Sequence, residues 1–118
     1  MRRWLFAAAL LCSESAFAVD YRRCLELDQA ESQAMAALTR DLDRLAASRE
    51  AEREVQKCGA KPTTATTTAQ LEGWYQCIYG TFPYANAAER QRYEEPIRTA
   101  ADRRMQAIYD QQLKLSCP

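Results

Sequence analysis

The residues with the most chemistry in this chain are its cysteines: Cys12, Cys24, Cys58, Cys77 and Cys117. None lies within the short spacing of a zinc-binding pair or a CxxC redox centre, and the 118-residue sequence contains no histidine. Cys12 falls in an N-terminal leader described below, which leaves an even set of four. In an exported chain, four cysteines without metal-type spacing point to two structural disulfides. The lack of histidine also removes Ser–His and Cys–His nucleophilic chemistry. Acidic neighbours do occur, as Asp41 with Asp43 and Glu94 with Glu95. A pair one or two residues apart on a helix points in different directions, so these read as solvated charges rather than an acid–base couple. The expectation is a protein that is not an enzyme and carries no cofactor and no metal.

A second concentration of chemistry is aromatic. Trp74, Tyr75, Tyr79, Phe82 and Tyr84 crowd into one short stretch. They suit either of two roles: a mini-core that seats a short helix, or a partner-binding surface of the kind dominated by Trp and Tyr. A thin helical protein hides five aromatics with difficulty, which favours some exposure.

Both sets of residues need a scaffold. Residues 1–18 read as a signal peptide. Arg2 and Arg3 are basic, the run from Trp4 to Leu11 is apolar, and Ala16-Phe17-Ala18 supplies the small residues of a cleavage site before Val19. The apolar run is far short of the roughly 20 residues that span a bilayer. Residues 19–118 then form a single helical domain, placed in the bacterial periplasm. The whole chain has 16 basic and 16 acidic residues; without Arg2, Arg3 and Glu14 it keeps one acidic charge in excess. That balance gives no reason to expect a nucleic acid partner, and no later segment is apolar enough for membrane insertion after the signal is removed.

Asp20 to Lys57 contains neither Gly nor Pro and is rich in Ala, Leu, Glu, Gln and Arg, so it is expected to be one long helix capped by Asp20. Met35, Leu38, Leu42 and Leu45 share one face; beyond them Ser48, Arg49 and Glu52 interrupt the stripe before Val55. The Arg/Glu alternation from Arg49 to Arg53 reads as a solvated face. Gly59 suits the helix end. Lys61 to Thr68, with Pro62 and its threonines, is expected to be a loop. A short helix follows from about Ala69 to Tyr79, with Thr67 and Gln70 at capping-box spacing. Asn86 and Glu89 open a last helix that reaches about Leu115, with Pro96 predicting a kink or a restart.

This predicts an all-α fold: an antiparallel helical hairpin with a short third helix. Cys24 and Cys58 would stand at opposite ends of a first helix roughly 57 Å long, so they cannot pair. The pairing that fits a hairpin is Cys24–Cys117 and Cys58–Cys77. In outline the chain is similar to small helical periplasmic proteins of the lysozyme-inhibitor type, through its leader, early cysteine and the helix segment Asp41-Leu42-Asp43-Arg44-Leu45. The resemblance implies an exported helical protein and assigns no site residue. The functional expectation is a non-catalytic periplasmic binding protein (inhibitor, immunity or envelope adaptor) whose partner is another periplasmic or envelope protein. Its recognition end would be Trp74, Tyr75, Tyr79, Phe82 and Tyr84. The alternative is a periplasmic chaperone or scaffold that offers a helical groove to clients.

Overall fold

A computed structural model describes residues 18–64 and 66–118. The expected leader lies outside the described residues apart from Ala18, and so does Cys12. Three helices follow one another: α1, Tyr21–Cys58; α2, Thr68–Tyr79; and α3, Ala87–Lys114. There is no strand among the described residues.

Each helix begins where a side chain can satisfy its first free amide. The Asp20 carboxylate accepts from the Arg23 N–H at 3.1 Å. Thr67 and Gln70 form a reciprocal capping box at the start of α2. The Asn86 side chain accepts from the Glu89 N–H at 2.8 Å and opens α3. The ends are equally local. Gly59 stops α1 with φ at +78°, a region that side-chain-bearing residues rarely enter. After α3, the Ser116 N–H donates to the Leu113 carbonyl and the Cys117 N–H to the Gln112 carbonyl. This pair of bonds is a Schellman motif. Its left-handed position is held by Ser116 (φ +53°), not by the usual glycine. The sharp reversal turns Cys117 back toward α1.

Pro96 neither ends nor restarts α3, which is one helix from Ala87 to Lys114. Proline lacks the N–H that the carbonyl of Arg92 would use. Pro96 lies on an exposed turn, where water can take that role. The turns on either side are braced by Arg90–Glu94 at 2.9 Å and Arg98–Glu94 at 3.3 Å.

α3 runs back along α1. Arg49 meets Glu89 near one end, then Glu31 meets Tyr109, Asp28 meets Gln112, and Cys24 is bonded to Cys117 at the other end. The descending order on one helix against the ascending order on the other makes the pair antiparallel. Cys58 is bonded to Cys77, with Cα atoms 5.8 Å apart. The hairpin and both disulfides are therefore as the sequence predicts. Helix α2 packs on α1 and makes no packing contact with α3. Two disulfides indicate maturation in an oxidising compartment.

The seam is thin. Among the described residues, Cys24, Leu27 and Ala101 are the buried apolar ones. Leu38, Leu42 and Leu45 on α1, with Ile97, Met105 and Ile108 on α3, are half-buried. Met35, expected on the apolar face, is exposed, as are Tyr21 and Val55. Two helices can cover one narrow stripe each, and residues at its edge stay in contact with solvent.

Candidate functional site

The end of the hairpin where α1 stops and α3 starts also carries α2, and here called the tip it holds all five predicted aromatics. The capping box starts α2 and Gly80 ends it. The Cys58–Cys77 bond then fixes α2 to the last residue of α1. Thr81 is buried beneath this bond: its hydroxyl donates to the Cys77 carbonyl at 2.9 Å and lies 3.7 Å from the Cys58 sulfur.

The structure separates the five rings into two kinds. Trp74 and Tyr84 are half-buried. The Trp74 indole N–H donates to the Gly59 carbonyl at 3.4 Å and so ties α2 to the end of α1. The Tyr84 ring lies 6.2 Å from that of Tyr93 on α3. Its hydroxyl is buried without a hydrogen-bond partner. Burial pushes the Tyr84 phenol above its ordinary range, and the negative Glu94 adds to the rise. The other three face solvent: Tyr75 is 44 % exposed, Phe82 69 % and Tyr79 80 %. Trp74 meets Tyr75 edge to face at 5.1 Å, and Tyr75 stacks toward Tyr79 at 6.3 Å. Among the described residues no ring contact joins Phe82 to this row. Phe82 instead lines a shallow groove of about 370 Å³ with Pro83, Tyr84, Asn86, Ala87 and Arg90.

A charged cluster lies beside the aromatics. Arg49 was expected on a solvated face; its side chain is only 13 % exposed. Its guanidinium sits 4.1 Å from the centre of the Tyr93 ring, 2.9 Å from Glu52 and 3.3 Å from Glu89. Glu89 also meets Arg53 at 3.6 Å and accepts from the Ala85 N–H at 2.7 Å. One carboxylate thus joins α1, the aromatic turn and the first turn of α3. The signal for this was present in the sequence: Arg49 and Glu52 occupy positions where the apolar stripe of α1 should continue. A charge facing a neighbouring helix demands a charge in return.

Glu94, expected as a solvated charge, is buried at 4 % exposure. Burial alone would raise its carboxyl; hydrogen bonds from Arg90 and Arg98, with their positive charge, outweigh that and hold it below the usual carboxylate range. Glu95 beside it is exposed.

Chemically the tip offers aromatic faces, arginine donors and a rigid backbone. Cys24, Cys58, Cys77 and Cys117 are all consumed in disulfides. Among the described residues no helix is long and apolar enough to cross a membrane, and no three metal-binding side chains come together. Comparison with protein families, with characterised proteins and with solved structures finds no match to this chain.

Proposed function

We propose that this chain is exported to the periplasm and acts there as a non-catalytic binding protein, through protein–protein contact at the tip. The observation that carries this reading is the exposure of Tyr75, Tyr79 and Phe82 on a segment clamped by Cys58–Cys77. Large apolar groups on a rigid surface lose little freedom when they bind. Tyrosine in particular combines apolar area with a polar edge, as binding hot spots do. Trp74 and Tyr84 act as the footing of this surface, and the exposed rings make the contact. An inhibitor, an immunity protein or an envelope adaptor all fit this arrangement.

A second reading has its own observation. A groove of about 370 Å³ runs between the helices, lined mainly by Ala30, Ala34, Ala37, Ala107 and Ile108. It supports a chaperone or scaffold that holds client segments along the hairpin. Small alanine side chains provide little apolar area for this, which favours the tip.

The test is a double variant, Tyr79→Ala with Phe82→Ala, used as bait in periplasmic extract beside the unmodified protein. Both rings are exposed, so the melting temperature should stay nearly constant. Capture of a discrete partner should fall by at least about tenfold, as expected for hot-spot truncation. Undiminished capture would remove the tip reading. Capture of many proteins, sensitive instead to Ala34→Glu in the groove, would favour the scaffold.

A further inference from the structure

A polar cleft of about 390 Å³ lies beside the Phe82 groove, the two linings interleaving at the start of α3. It is lined by Arg49, Arg53, Gln56, Lys57, Ala85 and Glu89. We infer that this cleft receives an aspartate or glutamate side chain of the partner, so that the tip recognises a peptide segment with adjoining apolar and acidic groups. The inference rests on the binding role proposed for the tip and adds the chemistry of what binds.

Charge complementarity selects the occupant. Three cations line the cleft against one carboxylate, Glu89. Glu52 is drawn to Arg49 from the side. Glu50 and Glu54 each follow an arginine by one residue, which places them about 100° further round α1, and neither lines the cleft. The donors are not used up. Among the described residues Arg53 makes a single ion pair, to Glu89 at 3.6 Å. Lys57 has no carboxylate partner, and Gln56 no side-chain hydrogen bond, among the described residues. The Arg49 Nε is buried with no acceptor.

Glu89 already shows that the arginines grip a carboxylate here. A guanidinium has five N–H donors and can serve a second carboxylate alongside the first. The incoming group would take charge-assisted bonds from Arg53 and Lys57. It would also sit next to the positive end of α3, which favours an anion. The cleft and the aromatic groove meet around the start of α3: Ala85 and Glu89 line one, Asn86, Ala87 and Arg90 the other. One short segment lying there reaches both.

The experiment titrates the disulfide-intact protein, residues 19–118, with a capped peptide alternating glutamate and phenylalanine. Its glutamine counterpart is the control, and arginine Nε–H and backbone amide resonances are followed by NMR. The acidic peptide should shift Arg49, Arg53 and Lys57 saturably. The glutamine peptide should bind at least about tenfold more weakly, the loss expected for hydrogen bonds to a charged group. Lys57→Gln, which breaks no ion pair in the free protein, should weaken the acidic peptide alone. Shifts confined to Tyr75, Tyr79 and Phe82, equal for both peptides, would overturn the carboxylate site while leaving the aromatic surface intact. Shifts at the arginines without any at the rings would keep this site and count against the aromatic reading. Shifts produced by inorganic phosphate but by neither peptide would overturn the assignment in favour of a phosphate ligand, and silence from every probe would overturn it outright.

Discussion

The two ends of the hairpin are joined by the same kind of covalent bond and surrounded by different chemistry. At the base, near Cys24–Cys117, the side-chain contacts that cross from α1 to α3 each carry a single charge: Arg23 to Gln111, Gln112 to Asp28, and Tyr109 to Glu31. At the tip, Cys58–Cys77 joins α1 to a helix that α3 does not touch, and the two long helices are held together there by Arg49, Arg53 and Glu89. The base closes a loop between chain ends. The tip holds out an appendage and leaves its aromatic side open. Where a helical pair is only two helices thick, an added helix at one end leaves surface that no further element covers.

The strongest way to break this contrast is to cut each staple in turn. In the chain-entropy description, the 93-residue separation of Cys24 and Cys117 corresponds to about 4.5 kcal/mol and the 19-residue separation of Cys58 and Cys77 to about 3 kcal/mol. Replacing Cys24 and Cys117 by Ser should therefore lower chemical stability most and fray the hairpin as a whole. Replacing Cys58 and Cys77 should release α2 selectively. Hydrogen exchange would then show Thr68–Tyr79 unprotected while amides of Ala87–Lys114 keep their protection. Loss of both regions together would show that α2 is no appendage.

Next in size is Glu89→Ala, which leaves Arg49, Arg53 and the Ala85 amide without their shared acceptor. A loss of about 2 kcal/mol in urea denaturation is expected. The corresponding change at the base, Glu31→Gln, should cost under about 0.5 kcal/mol because the contact is single and exposed.

Acid sharpens the comparison further. The folded-state pKa of Glu94 is depressed, so its pairing with Arg90 and Arg98 contributes stability above the unfolded value of 4.5 and loses it as pH falls below that. Glu94→Gln should cost about 1 to 2 kcal/mol at neutral pH and flatten the acid limb of the stability profile. Tyr84, whose folded pKa is raised, has the opposite sign: stability falls as pH climbs past 10.0. A change of small size and opposite direction is expected at the base. Ser116→Gly relieves a left-handed residue and should stabilise by a few tenths of a kcal/mol to about 1 kcal/mol, offset in part by the freer unfolded chain.

Features governed by neighbouring residues were legible before the structure. Asp20, Thr67 and Asn86 each cap a helix through an amide three residues on, so their role is contained in the local sequence. The disulfides were legible because a rigid helix between Cys24 and Cys58 removes one pairing and a hairpin selects among the rest. The Arg49–Glu89 pair spans 40 residues and depends on the register of two helices, which periodicity alone does not set. The choice at Pro96 between a kink and a restart of α3 was left open for a similar reason: it depends on which side of the helix meets water. The aromatic cluster was located by composition, but its division into a footing and an exposed row follows from how α2 lies on α1.

Among the described residues no side chain is fully buried. Burial of apolar surface is what makes the heat capacity rise on unfolding and gives protein stability its curvature with temperature. A molecule with this little interior should unfold with a small heat-capacity change per residue, and its stability curve should be broad and shallow. Its resistance to heat then comes largely from how two covalent links limit the unfolded chain, a contribution whose free energy grows in proportion to absolute temperature in the chain-entropy description. Warming would weaken the folded state slowly over a wide range, and the tip would keep its shape across that range.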